Sequence, residues 1–191
     1  MNPASLLRAV YESIQWDALY ERAPEATREL VDELFRRMGS ALGEEEMGSE
    51  AAADATGGEA WVHTDGASKG NPGPAGIGIV IRTPDGREVL AWGRSIGRAT
   101  NNVAEYMAAI EGLKKARELG ARAVRLRADS ELLIRQVEGR YKVKNAGLKP
   151  LHAELMKVLK GFGEWHAEYI PREQNAEADA LASRHAKQGQ H

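Results

Sequence analysis

The sequence predicts an α/β domain: a five-stranded mixed sheet, three antiparallel strands then two parallel ones, flanked by helices and preceded by a small helical segment. Three observations lead there. The apolar period changes from helical to alternating near residue 60, across an acidic, Gly-rich stretch at 43–58 that has no period. Beyond it, turn signals mark off three meandering strands, then helix, strand, helices, strand and helix. The strands near 61–65 and 124–128 are joined through a long helix, which makes them parallel neighbours by a right-handed crossover.

Each element has its own cause. Leu6, Leu7, Val10, Ile14 and Leu19 fall at helical spacing within 4–21. Pro24 suits a first helical turn, and Leu30, Val31, Leu34, Phe35, Met38 and Leu42 repeat with the same period. The result is a helical pair at 1–42, a flexible linker at 43–58 and a main domain at 59–191. In the main domain, 61–65 is the first strand, and Asn71-Pro72-Gly73-Pro74 signals a turn within 66–76. Residues 77–82 and 88–94 are the second and third strands, joined by a hairpin turn at Pro84-Asp85-Gly86. Residues 100–119 form the long helix, closed by Gly120. The fourth strand, 124–128, alternates apolar residues with Arg. Short helices follow around 130–138 and 148–160, then a fifth strand at 165–170. A last helix runs from Asn175, a cap by residue type, to about Ala186.

Composition bounds the function. The 191 residues, 42% hydrophobic, suffice for one ordinary domain and something small. The lack of cysteine excludes disulfides and thiolate metal sites and fits a reducing compartment. No apolar run approaches the roughly 20 residues of a membrane helix, and no basic start precedes an apolar block. The expectation is a cytoplasmic protein without membrane contact. The net charge of −2 hides an asymmetry: residues 1–60 carry 5 Lys+Arg against 13 Asp+Glu, and residues 61–191 carry 21 against 15. The second part is basic enough to attract a polyanion. The first is too acidic for nucleic acid and, as a helical pair, too small to bury much surface alone. It is expected to pack on the main domain, on a copy of itself or on another protein.

Four carboxylates carry the chemistry. Asp65 and Asp129 end the two parallel strands, at the edge where open α/β sheets place ligands. Glu105 lies in the first turns of the long helix, and Asp179 about one turn into the last. Taken singly, each is equally a cap or a surface charge. Together in one crevice they repel one another unless a cation neutralises them. An all-oxygen cluster favours magnesium, with manganese as substitute. Two such ions roughly 4 Å apart activate a water and stabilise the leaving oxygen of a phosphodiester.

The surrounding words sharpen this. Thr64-Asp65-Gly66-Ala67-Ser68-Lys69-Gly70-Asn71-Pro72-Gly73-Pro74, Thr100-Asn101-Asn102-Val103-Ala104-Glu105, Ala128-Asp129-Ser130 and Asn175-Ala176-Glu177-Ala178-Asp179-Ala180-Leu181-Ala182 resemble the type 1 ribonuclease H family in order and spacing, over roughly 61–187. The resemblance implies the ribonuclease H-like fold and metal-dependent endonucleolytic cleavage of the RNA strand of an RNA–DNA hybrid. It puts Asp65, Glu105, Asp129 and Asp179 at the family's metal positions. A hybrid is told from DNA by its 2′-hydroxyls, which calls for small residues and short amides in a shallow groove. Gly66, Ser68, Asn71, Asn101 and Asn102 supply these and match the family's groove residues. Arg98, Thr100 and Asn145 match its pocket for a DNA-strand phosphate.

The chain also departs from the family. The stretch at 139–150 is short, and resembles the compact archaeal-like subgroup rather than relatives with a basic, tryptophan-bearing insertion. Lys142, Lys144 and Lys149 remain candidates for the DNA backbone, and Tyr141 for packing on a sugar; the alternative is a connector that only packs. The histidine many relatives carry before the last helix is missing from Ile170-Pro171-Arg172-Glu173-Gln174, where Arg172 or Glu173 is the candidate substitute. His63 is expected to be structural and His185 to sit on a helix surface. The intact quartet argues against an alternative from another class, a binding or assembly module without activity. The Thr-Asn-Asn word disfavours exonuclease relatives, and the lack of a polymerase segment suggests a free-standing enzyme rather than part of a reverse transcriptase.

Overall fold

The computed structural model describes residues 55, 56 and 58–188, with Val10, Val31, Leu34 and Phe35 as isolated helical positions. The chain divides into two units, Met1–Ala53 and Asp54–His191. Apart from those positions, the expected helical pair at 1–42 and linker at 43–58 lie outside the described residues. Among the described residues, no helix is long and apolar enough to cross a membrane.

In the second unit the strands are β1 (Glu59–Ser68), β2 (Gly73–Arg82), β3 (Glu88–Ala99), β4 (Ala123–Ala128) and β5 (Glu164–Tyr169). The helices are α1 (Asn101–Glu118), α2 (Glu131–Val137), α3 (Leu148–Leu159) and α4 (Ala176–Gln188), the last preceded by a 3-10 turn at Arg172–Asn175. The strands lie in the order β3-β2-β1-β4-β5. The first three are mutually antiparallel, and β1, β4 and β5 are parallel. The expected mixed sheet is therefore present, as is the parallel neighbouring of β1 and β4.

Side-chain alternation divides the sheet between two layers. Val62, Ile79 and Ile81 pack with Tyr106, Ala109, Ile110 and Leu113 of α1, and Leu126, Leu133, Leu155 and Leu159 extend this core. Burial of each such large apolar side chain is worth roughly 1.5–3 kcal/mol. The opposite face of β2 carries glycine at 76 and 78: a Cβ at Gly78 would lie 2.0 Å from the Ala178 carbonyl oxygen, and one at Gly76 2.4 Å from the Ala186 nitrogen. The glycines thus let α4 lie directly on the sheet, its Ala178, Ala182 and Ala186 facing inward at four-residue spacing.

Element ends differ from expectation where backbone pairing outlasts the side-chain pattern. β1 continues to Ser68 and β2 begins at Gly73, because Gly66, Ala67 and Ser68 pair with Ile77, Gly76 and Ala75. β3 continues to Ala99 through a register shift opposite Ala75 and Gly76. Thr100 is the cap of α1, its hydroxyl accepting from Val103 N at 3.3 Å. Gly120, at φ 85°, follows the end of α1 in the left-handed region that glycine adopts readily. Behind the site, the buried Tyr106 hydroxyl donates to Gln136 Oε1 at 2.8 Å and ties α1 to α2.

Candidate active site

The parallel register of β1 and β4 pairs His63 with Arg127. Two residues further on, it brings Asp65 alongside Asp129. Glu105 approaches from α1, which lies against β1 so closely that a Cβ at Gly66 would be 2.2 Å from the Ala104 and Glu105 backbone. Gly66 is therefore small for a reason internal to the fold, whereas the sequence suggested close approach of nucleic acid. Asp179 arrives from the other layer, on the helix that Gly76 and Gly78 admit to the sheet.

The charges of these side chains act on one another: Asp129 and Asp179 on Asp65, and Asp65 and Asp129 on Glu105. Burial, then the charges of Asp129 and Asp179, pushes the Asp65 carboxyl from 3.8 up to about 7. Burial, with the charges of Asp65 and Asp129, pushes Glu105 from 4.5 up to about 7, against hydrogen bonds from Ser130 and Asn101. Ser130 also caps α2, its oxygen accepting from Leu133 N at 3.4 Å. Asn101 Nδ2 donates to Glu105 Oε1 at 3.1 Å. Asp129 Oδ1 accepts from Asn175 Nδ2 at 2.6 Å, and Asp179 Oδ1 from Arg172 Nη2 at 2.7 Å. With the acids so engaged, no three of them form a ready metal cage among the described residues. The donor set nonetheless suits a hard cation: every candidate ligand atom is oxygen, and the mutual repulsion that raises two of the carboxyls is what a divalent ion relieves.

A ledge beside Glu105 gathers six of the expected substrate residues. The Ser68 hydroxyl has two carbonyl acceptors within reach of its single proton, Ala99 O at 2.8 Å and Gly70 O. Asn71 Oδ1 accepts from Asn101 N at 3.3 Å, and Arg98 Nη2 lies 3.4 Å from Pro72 O. Thr100 caps the helix between them, and Asn102 is exposed next to Asn101. Asn145 is not joined to Arg98 and Thr100 by any hydrogen bond among the described residues. Its Oδ1 accepts from Gly147 N at 2.8 Å and Leu148 N at 3.3 Å, closing the turn that opens α3. Lys142, Lys144 and Lys149 are exposed on the same connector, and Tyr141 is half-exposed with the Arg135 guanidinium 5.5 Å from its ring.

Two residues differ from expectation. Asn175 immediately precedes α4, but its side chain does not cap the helix: it is 1% exposed, its Oδ1 has no protein partner, and its Nδ2 points to Asp129. Its signal was residue type alone, which fits a cap as well as a buried amide. His185 is half-buried rather than on the helix surface, its ring against Gly93. His63 is structural as expected: it is buried, and burial together with Arg127 and Arg82 pushes it down to about 4, so it is neutral.

The fold and crevice define an α/β domain with an acidic centre at the carboxyl edge of a parallel strand pair. A family model described as reverse transcriptase-like matches residues 63–185. The chain is 42% identical over 127 residues to ribonuclease HI of Halobacterium salinarum, covering 66% of this chain and 64% of that protein. It is 45% identical over 123 residues to a bifunctional protein of Mycobacterium tuberculosis, covering 64% of this chain and 34% of that one. The chain thus spans less than two thirds of these relatives. The crystal structure of ribonuclease H1 from Halobacterium salinarum superposes with a TM-score of 0.67 at 40% identity, over 69% of this chain and 99% of that one. A compost-derived ribonuclease H1, solved in complex with an RNA/DNA hybrid, superposes with a TM-score of 0.64 at 39% identity, over 68% of this chain and 97% of that one. The chain belongs to the type 1 ribonuclease H family.

Proposed function

We propose that the unit beginning at Asp54 hydrolyses the RNA strand of RNA–DNA hybrids endonucleolytically, with two divalent ions held by Asp65, Glu105, Asp129 and Asp179. Magnesium is the expected metal and manganese the substitute. The observation that carries this reading is the meeting of four carboxylates from β1, α1, β4 and α4 at one sheet edge, two of them raised to about 7 by burial and their neighbours' charges. Bound ions supply an activated water and stabilise the leaving oxygen. The chain supplies the rest. Ser130 and Asn101 orient Glu105, and Arg172 neutralises Asp179 until substrate and metal arrive.

On this reading Gly66, Ser68, Asn71, Asn101 and Asn102 lie in the minor groove, where the RNA 2′-hydroxyls distinguish a hybrid from DNA. Arg98 and Thr100 receive a DNA-strand phosphate. Asn145 keeps its Nδ2 for the same strand, and Lys142, Lys144 and Lys149 add attraction to the backbone. The complex of the compost-derived relative with a hybrid supports this substrate class. Residues 1–42 are proposed to serve self-association or a protein partner, in a cytoplasmic enzyme. The test is cleavage of end-labelled hybrid, double-stranded RNA and double-stranded DNA, with magnesium and with chelator. Cleavage of the hybrid's RNA strand alone, only with metal, is expected; metal-independent cleavage or equal cleavage of double-stranded RNA overturns the reading.

A further inference from the structure

Among the described residues, Asn175 is the one buried amide whose side chain bonds a member of the acid quartet. It is 1% exposed. Its Nδ2 donates to Asp129 Oδ1 at 2.6 Å and to Thr64 O at 3.0 Å. Thr64 immediately precedes Asp65, and Asp179 lies four residues beyond Asn175. One side chain thus ties the end of β4, the backbone beside Asp65 and the root of the helix carrying Asp179.

The amide has one workable orientation. Both groups facing Nδ2 are acceptors, a carbonyl and a carboxylate, so a flipped amide would set three oxygens against one another. The other end is held apart from the acids. Asn175 Oδ1 has no protein partner, and neither ring nitrogen of the buried His63 has one. Both residues line a cavity of about 60 Å³ with Arg82 and Glu177, which form an ion pair at 2.6 Å. That space admits ordered water to Oδ1.

We propose that Asn175 is a positioning residue that acts through Asp129, aiming its carboxylate for metal and holding the β1, β4 and α4 acids in mutual register. This rests on the proposed metal-dependent nuclease. A charge-assisted hydrogen bond at 2.6 Å fixes the carboxylate's rotation. Loss of such an outer partner of a metal ligand typically costs roughly 10–100-fold in metal affinity or activity.

The test compares the full chain with Asn175→Asp, which keeps the shape but loses both donors, and Asn175→Ala. Three quantities are read: Mn2+ affinity of the metal-free protein by calorimetry, kcat and KM on a hybrid, and Tm. Expected are about 10-fold or greater losses in Mn2+ affinity and kcat with KM changed by less than about 2-fold. Asn175→Asp is also placed in an Asp129→Asn background, where a carboxylate at 175 again faces a donor. There it is expected to cause no further loss of Mn2+ affinity. A fall in Tm with metal affinity and kcat intact would show a scaffold role only. A rise in KM alone would make Asn175 a substrate contact, and an additive loss in the Asp129→Asn background would show that it does not act through Asp129; each overturns the proposal. If Asn175→Ala does not fold, the isosteric Asn175→Asp still decides. A wild-type protein that binds Mn2+ but leaves hybrids uncut refutes the nuclease reading instead.

Discussion

Asp65→Asn separates the electrostatic cost of the crevice from its chemistry. Moving a carboxyl from 3.8 to about 7 corresponds to roughly 4 kcal/mol of differential cost of its charged form. Water entering the metal-free crevice and rotation of neighbouring acids screen part of this, so about 2 kcal/mol is expected to be recovered when the charge is removed. For a unit of this size that is a Tm gain of roughly 6 °C. The sign follows from proton binding. Native Asp65 and Glu105 hold protons more tightly than the unfolded chain does, so metal-free stability falls as pH rises from about 4 to about 7. Asn at 65 does not titrate. The variant should therefore melt above wild type at pH 8 in chelator and near it at pH 4, where both side chains are neutral. It should also lose hybrid cleavage at saturating magnesium while retaining hybrid binding. Calorimetric melts of both proteins across this range, in chelator, are the assay. Equal or lower Tm at pH 8, or a gain of the same size at pH 4, would refute the picture of a crowded acidic crevice.

Other perturbations reach other parts of the fold. Gly78→Ala sets a methyl against the Ala178 carbonyl oxygen and is expected to cost roughly 1–3 kcal/mol or more in denaturant unfolding, with reduced metal affinity as Asp179 is lifted from the sheet. Removal of residues 1–53 should leave a folded, active nuclease, whereas removal of 1–58 should lower Tm further, because Arg87 holds Ala55 O at 3.0 Å and Thr56 is buried; an inactive shorter truncation would make the first unit part of the enzyme. Replacing Lys142, Lys144 and Lys149 together by Ala should weaken hybrid binding and reduce the slope of log affinity against log salt by roughly one unit per lost phosphate contact, with less effect on kcat. An unchanged slope would leave the connector a packing element.

Element order and strand pairing were legible in the chain itself because they depend on periodicity and on turn chemistry, both local properties. A period of two with Gly-rich turns defines the first three strands, and the long apolar helix between aspartate-ended strands forces the crossover that sets Asp65 beside Asp129. The same locality explains the errors. The ends of β1 and β3 ran past their side-chain patterns because ladder hydrogen bonds join backbones, whatever the side chains. Gly66 read as a groove residue, Gly76 as part of a turn stretch and Gly78 as a strand residue, and none of them announced that α1 and α4 would lie on them. Asn145, grouped by motif with Arg98 and Thr100, also has a local task that the motif did not announce: its Oδ1 accepts from Gly147 N and Leu148 N at its own helix start, leaving Nδ2 for the proposed strand contact. Asn175 shows the division most plainly. Its type fits a helix cap from sequence alone, yet its partners, Thr64 and Asp129, stand 111 and 46 residues away. A buried amide's role is decided by which acceptors surround it, and only the packing of β1, β4 and α4 around one crevice selects them.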